Sequence, residues 1–377
     1  MHICFISSEY PLWKSGGVGT FLQTFGRALV REGHKVSIVG LGNSYEEQLI
    51  DKGIKIYRLP RSTVPVGKFF FNTRCIASKI AMLHSQEKID IVESAELGLA
   101  FLKKNSEIKY VIRLHGGHHF FAESENRDVH WWQALKERLS FKKADGFVAV
   151  SNYVREHTSR FLSYHDKPID IIYSPINTEL FKPNAHQEIE PLNITFVGTI
   201  CEKKGVRQLI MAMEIICKKY SKAHLNIYGR EWFYKDGRSY TDMLHAEYGD
   251  IIDKCVTIHG VVPYEKLPSR YGLAQICVFP SHMETQGLVA QEAMAMEKPV
   301  IFSKLGPGPE TIVEYKTGLL CDPLNVNDIA YKIIWSFENM DRVKEMGKNA
   351  REYVLNTFNI KTNLSKNLDF YRTLIEA

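Results

Sequence analysis

Apolar residues along this chain fall into short runs of four to six, separated by longer stretches of helical period, and the two patterns alternate from one end to the other. His2 to Ser7 reads as a strand, Thr20 to Glu32 as a helix closed by Gly33, and Lys35 to Val39 as the next strand. Further strands are expected at 89–93, 110–114 and 146–151. The stretch from Asn184 to Pro191 is polar and proline-bounded, as a linker would be. After it the alternation restarts, with a strand at Asn193 to Val197, a helix at Gly205 to Tyr220, and strands at 224–228, 256–259, 276–279, 300–302 and 318–321. Strand–helix–strand units of this kind build parallel, doubly wound sheets that bind ligands at the carboxyl ends of their strands. The expected class is therefore α/β, with two Rossmann-like domains facing across a cleft. Their expected bounds are 1–183 and 193–358, with a linker at 184–192 and a terminal helix at 359–377.

Composition adds a direction to this picture. A chain of 377 residues is long enough for two buried cores, and 45% hydrophobic with 24% charged residues is ordinary for a folded protein. The net charge of +5 is uneven: residues 1–182 hold 25 Lys and Arg against 19 Asp and Glu, a net +6, and the rest hold 23 against 24, a net −1. An anionic partner or a membrane surface near the first half fits that bias, whereas nucleic acid is not expected. Seven scattered cysteines with no CxxC pair read as reduced and structural, hence intracellular. No apolar run approaches ~20 residues, so a cytoplasmic protein without a transmembrane anchor is expected, with peripheral contact at the inner membrane face as an option.

Two stretches in the first half keep two readings each. Pro65 to Met82 is cationic and aromatic, and either lies on a membrane or packs its Phe face into the core. Trp131-Trp132, with Lys136, Arg138, Lys142 and Lys143, either lines an acceptor groove or covers a helix.

Candidate chemistry concentrates between Phe279 and Ile301. Glu284 falls in a loop and Glu292 eight residues later in a helix beginning near Gly287, which sets the carboxylates on the order of 12 Å apart if the backbone is near-helical. A glycosidase dyad needs roughly 5 to 9.5 Å, so the pair suits gripping a long ligand better than attacking one bond. Between them the N–H groups of Gly287, Leu288 and Val289 at a helix N-terminus favour phosphate. Carboxylate, phosphate site, carboxylate is the layout a nucleotide sugar requires. Gly16-Gly17-Val18-Gly19 follows the first strand, as a phosphate-approaching loop or a tight turn. His115, in Arg113-Leu-His115-Gly-Gly-His118-His119, ends another strand and fits either a ligand contact or a loop histidine; His115, His118 and His119 match no common metal spacing. The loop Gly198-Thr199-Ile-Cys-Glu-Lys203-Lys204-Gly205 brings fixed positive charge to the first strand of the second half, as a leaving diphosphate needs.

Glu284, seven residues, Glu292, then Ala-Met-Ala and Pro299-Val300-Ile301 resembles the signature of the retaining group 1, glycogen-synthase-like glycosyltransferases. The resemblance implies the GT-B architecture, with the terminal helix crossing back to the first domain. It also implies a retaining hexosyl transfer from a UDP- or GDP-linked sugar to a glycan or lipid-linked acceptor, as in cell-surface polysaccharide synthesis, with no metal and no cofactor beyond the nucleotide sugar. By the same resemblance Glu284 and His115 would hold the sugar, Lys204 the diphosphate, Glu292 the ribose, and Gly16-Gly17 would approach the donor phosphates. The chain departs from the family at several places. Thr199 stands where Arg is usual, with Lys203, Arg207 or Arg230 as substitutes; Gln286 stands for Phe, Glu297 for Gly, and Gly306-Pro-Gly-Pro309 for a Gly-Gly pair before Glu310. An epimerase of the same architecture or a non-catalytic nucleotide-sugar binder are the alternative readings.

Overall fold

Strands that carry apolar residues on both faces need cover on both faces, and parallel pairing with helical crossovers supplies it. The computed structural model describes residues 1–13, 16–42, 44–63, 67–125 and 127–377; Ser15 of the expected glycine loop and Pro65 at the head of the aromatic stretch lie outside them. The chain divides into two units, Met1–Pro175 with Ile360–Ala377, and Ile176–Asn359.

The first unit runs β1 (His2–Ile6), α1 (Gly17–Arg31), β2 (Lys35–Leu41), β3 (Glu47–Asp51), β4 (Ile54–Leu59), α2 (Lys68–Gln86), β5 (Ile91–Ser94), β6 (Lys109–Leu114), α3 (His118–Ser124), α4 (Trp131–Lys143), β7 (Gly146–Ala149), α5 (Asn152–Ser159) and β8 (Ile169–Ile171). Its eight-stranded sheet has the order β3-β4-β2-β1-β5-β6-β7-β8, parallel except where β3 pairs antiparallel with β4. Helix α1 begins three residues earlier than expected, so Gly17, Val18 and Gly19 are its first turn rather than a loop, with Gly16 as the N-cap. The buried face of Phe21, Leu22, Phe25 and Leu29 secures the helix against the low propensity of its glycines.

The second unit contains β9 (Asn193–Val197), α6 (Val206–Lys219), β10 (His224–Tyr228), α7 (Tyr240–Cys255), β11 (Val256–Gly260), α8 (Leu267–Leu273), β12 (Ile276–Phe279), α9 (Leu288–Ala295), β13 (Val300–Ser303), α10 (Gly308–Thr311), β14 (Leu319–Cys321), α11 (Val326–Glu338) and α12 (Met340–Thr357). Its sheet has the order β11-β10-β9-β12-β13-β14, and every residue of β9, β12 and β13 is buried. The division between units falls at Pro175, eight residues before the expected bound. Residues 184–192 belong to the second unit and are not a linker, because Glu190 N–H donates to Leu273 O at 3.0 Å and Gln187 packs against Gly272.

The last helix, α13 (Ile360–Glu376), returns to the first unit. It is tied there by a buried charge. Arg113, 0% exposed, donates to the two Glu93 carboxylate oxygens at 2.7 and 3.1 Å and to Asn367 of α13, while the Tyr371 hydroxyl donates to Glu93 at 2.5 Å. Removing one partner of such a pair leaves an uncompensated buried ion.

Glu297, standing where the family has glycine, adopts φ +57, and its carbonyl lies so close to Gly347 that a Cβ there would sit 2.2 Å away. A non-glycine residue in this region carries steric strain, and the partner that could offset it is weak: Arg351 is 3.9 Å from a Glu297 carboxylate that is 40% exposed. Glu297→Gly should therefore raise the unfolding free energy by about 0.5–1 kcal/mol, and Glu297→Val should lower it, read by urea denaturation.

Candidate functional site

In the second unit β9 lies between β10 and β12, so the loops leaving β9 and β12 meet at the carboxyl edge of the sheet. The first of these makes one 3-10 turn at Glu202–Lys204 and ends at Gly205, whose φ is +69. A Cβ at Gly205 would lie 1.9 Å from the Pro280 carbonyl oxygen, so only glycine lets this loop press against the exit of β12. His282 N–H donates to the Lys203 carbonyl at 2.9 Å and fastens the two loops together. The consequence is an ion pair between Lys204 Nζ and Glu284, whose side chains are 21% and 12% exposed, and Ser281 Oγ donates to the same Glu284 oxygen at 3.1 Å.

Gly287, with φ +85, is the N-cap of α9; a Cβ there would meet the Phe302 ring at 2.4 Å. The first-turn N–H groups of such a helix have no carbonyl partner within it, and Leu288 and Val289, at this terminus, are half-buried. Glu292 lies one turn in and is 3% exposed. The Tyr271 hydroxyl donates to it at 3.1 Å and Tyr264 adds a second hydrogen bond, yet burial outweighs both and pushes its carboxyl up to about 8.

Thr199 is half-buried and brings no cation to the loop after β9. Of the residues that could substitute, Arg207 is engaged, donating to Glu202 at 2.7 Å. Arg230 is exposed at the end of β10, where its carbonyl accepts from Ile200 N–H of the same loop at 2.8 Å; its side chain makes no hydrogen bond or ion pair among the described residues.

In the first unit His115 follows β6 and borders a crevice that Ser7, Val18, Phe21 and Ser94 also line, so the exits of β1, β5 and β6 and the first turns of α1 converge there. Its ring lies 5.5 Å from that of Phe21, and burial, with the Arg113 guanidinium beside it, holds the imidazole down at about 3. His115 is thus a neutral hydrogen-bonding group. His118 and His119 do not join it: Glu137, 0% exposed, accepts from both of their backbone N–H groups and from His119 Nδ1, and Gly116 N–H donates to Glu96 at 2.7 Å. The two carboxylates close on Gly117, where a Cβ would sit 2.1 Å from Glu137 Oε1 and 3.2 Å from Glu96 Cγ. Burial, with Glu137 adding to it, pushes Glu96 up to about 7. Among the described residues no group of three or more His, Cys, Asp or Glu is placed to hold a metal.

Tyr264, Tyr271, Glu96 and Glu137 were not anticipated from the sequence. Each reaches its partner from a different element, at a separation no local spacing encodes.

The family profile "Glycosyl transferases group 1" matches residues 177–353, and "Glycosyltransferase Family 4" matches residues 15–180. A GDP-mannose-dependent alpha-(1-6)-phosphatidylinositol monomannoside mannosyltransferase of Mycobacterium tuberculosis is 24% identical over 98% of this chain and 98% of its own. An uncharacterized glycosyltransferase of Methanocaldococcus jannaschii is 27% identical over 94% of this chain and 92% of its own. Among solved structures, sucrose-phosphate synthase from Thermosynechococcus elongatus aligns with a TM-score of 0.86 at 23% identity, over 100% of this chain and 99% of that one. Anabaena HepE in complex with UDP-glucose aligns at 0.80 and 16%, over 99% of this chain and 100% of that one. At these identities the structural likeness speaks to the fold.

Glu292 links the site to pH. Its folded value, about 8, lies above the ordinary 4.5, so its contribution to stability is complete at low pH and is lost as pH rises through 8. Glu292→Gln should therefore lose less stability than the wild-type chain between pH 5 and pH 9, by up to about 4 kcal/mol. Parallel pH profiles from urea denaturation would contradict the buried-carboxyl geometry.

Proposed function

The chain belongs to the group 1 glycosyltransferases, and on that premise we propose that it is a retaining, metal-independent hexosyltransferase moving a sugar from a UDP- or GDP-sugar to a hydroxyl of a glycan or lipid-linked acceptor. It would act in the cytoplasm, in peripheral contact with the membrane through its first unit, in cell-surface polysaccharide synthesis. The observation that carries the reading is the Lys204–Glu284 pair at the carboxyl edge of β9 and β12. A glycosyl phosphate needs a cation at its phosphate oxygen and an acceptor for the sugar hydroxyls close beside it. An ammonium has three donors, so Lys204 can hold Glu284 and still donate to phosphate. A GDP-mannose-dependent relative and a neighbour bound to UDP-glucose keep both nucleotides in the proposal, and the phosphatidylinositol-based substrate named for the relative supports a lipid-linked acceptor.

In the proposed reaction the bond from the anomeric carbon to the diphosphate oxygen breaks as the acceptor oxygen bonds to the same face of the sugar. The acceptor's proton passes to the departing phosphate oxygen. The N-terminus of α9, Lys204 and the exposed Arg230 would stabilise the charge that develops on the diphosphate, in place of the arginine that Thr199 lacks. Gly16 and Gly17, at the start of α1, are assigned to the donor phosphates. Glu284 and the neutral His115 would hold the sugar hydroxyls, and Glu292 the ribose, once its carboxyl is ionised.

Arg230→Ala should weaken nucleoside diphosphate binding by about 1.5–3 kcal/mol in calorimetry, as for a lost charged hydrogen bond; unchanged affinity would remove Arg230 from the site. Glu284→Gln should leave that affinity nearly intact while lowering kcat on the order of 10²–10³-fold. His115→Ala should also lower kcat without altering diphosphate affinity, and full turnover with the true donor and acceptor would leave His115 an ordinary loop histidine. Turnover should persist in EDTA; loss restored by magnesium or manganese would overturn the metal-free mechanism.

A further inference from the structure

Two stretches that looked unrelated along the chain form one surface in the first unit. The Phe69 and Phe70 rings of α2 meet Phe101 and, on α4, Trp132: Phe70 lies 4.8 Å from Phe101, Phe101 stacks on Trp132 at 5.7 Å, and Trp132 touches Trp131 at 5.5 Å. This cluster does not end in a core. Phe70 is 53% exposed, Phe71 50%, Trp131 68% and Leu135 37%, and the residues α2 buries are Asn72, Thr73, Ile80 and Leu83. The reading in which α2 packs its Phe face inward is thus corrected.

The exposed charges on these two helices have one sign, and the acid nearest to Trp131 along the chain is the exposed Asp128, three residues before it. Helix α2 contains no Asp or Glu, and Lys68 and Arg74 on it are exposed beside Phe70 and Phe71. On α4 the exposed residues Trp131, Leu135, Arg138 and Lys142 recur at i, i+4, i+7 and i+11, one stripe that is apolar at its head and basic at its tail. The single acid of α4, Glu137, points inward and is 0% exposed. Wet aromatic rings rimmed by cations, without carboxylates between them, match the headgroup region of a bilayer, where ring bodies enter the acyl boundary and cations meet lipid phosphates.

We infer that the face shared by α2 and α4, centred on Phe70, Phe71 and Trp131 and flanked by Arg74 and Arg138, docks on an anionic lipid bilayer. This deepens the peripheral contact proposed above and rests on that reading for its purpose. Its test requires neither donor nor turnover, so the two fail separately.

The full chain is titrated with phosphatidylcholine vesicles with and without phosphatidylglycerol, following sedimentation and tryptophan emission. Binding to the anionic vesicles, with a blue shift and weakening as salt rises, is expected. Phe70→Ser/Phe71→Ser/Trp131→Ser and Arg74→Glu/Arg138→Glu should each raise the apparent Kd roughly tenfold or more, the second mainly for anionic vesicles. All five positions are exposed, so both variants should remain folded, which a cooperative thermal transition checks. Three results overturn the inference: no binding by the wild-type chain in lipid excess, wild-type binding by both folded variants, or self-association that the aromatic variant abolishes while vesicle binding persists. The last would make the face a contact between copies of this chain.

Discussion

Strand order decides where this chain can place chemistry. In each sheet the first strand of the unit is flanked by neighbours whose connections run in opposite directions, β2 and β5 around β1, β10 and β12 around β9. Right-handed crossovers then send the helices to opposite faces, and the loops between them part at the carboxyl edge. The start of α1 in the first unit, and Lys204 and Glu284 in the second, leave their sheets at those points, while His115 leaves β6, the strand beyond β5. A close approach completes the second of these. A side chain at Gly205 would meet the Pro280 carbonyl and push apart the loops after β9 and β12, which carry Lys204 and Glu284.

How far this was legible follows from the range over which each feature is encoded. Buried parallel strands are continuous apolar runs, so β9, β10 and β12 were located to the residue and β1, β2, β5, β6, β7, β11, β13 and β14 to within two residues, whereas β3, β4 and β8 were not expected. The placement of Glu284 before a helix and Glu292 within it was also readable, because it too is encoded locally. The start of α1 was missed because Gly16, Gly17 and Gly19 signal a loop, whereas the buried face several residues later decides the outcome. The linker was misplaced because polarity marks surface rather than a boundary; residues 184–192 are polar and still tied to Leu273 and Gly272. Glu297 shows the opposite case, in which the departure from the family was visible and its meaning, a left-handed backbone carrying a side chain, was not.

The buried charges share a logic that no linear pattern displays. Three sets of them, Glu93 with Arg113, Glu96 with Glu137, and Glu292 with its two tyrosines, lie on or next to elements that carry proposed ligand contacts. Each is costly to bury, and each is held by donors fixed in the backbone or in a packed helix. Glu137 gathers the N–H groups of His118 and His119, Glu96 takes that of Gly116, and the turn after His115 is thereby fixed from below. Groups held in this way need little reorganisation when a ligand's charge arrives, which is the condition for electrostatic stabilisation to act on a transition state.

The departure at Thr199 can be weighed in the same terms. A departing diphosphate responds to charge at a place in space, not at a position in a motif. The backbone brings Arg230 to the loop that Thr199 occupies, through the hydrogen bond between Ile200 N–H and the Arg230 carbonyl, while the nearer candidate in sequence, Arg207, is held by Glu202. In the proposed site an arginine at the end of β10 would reach across from the neighbouring strand instead of rising from the loop itself. It would then supply the proposed diphosphate site with a second cation beside Lys204, which the ion pair with Glu284 keeps in place.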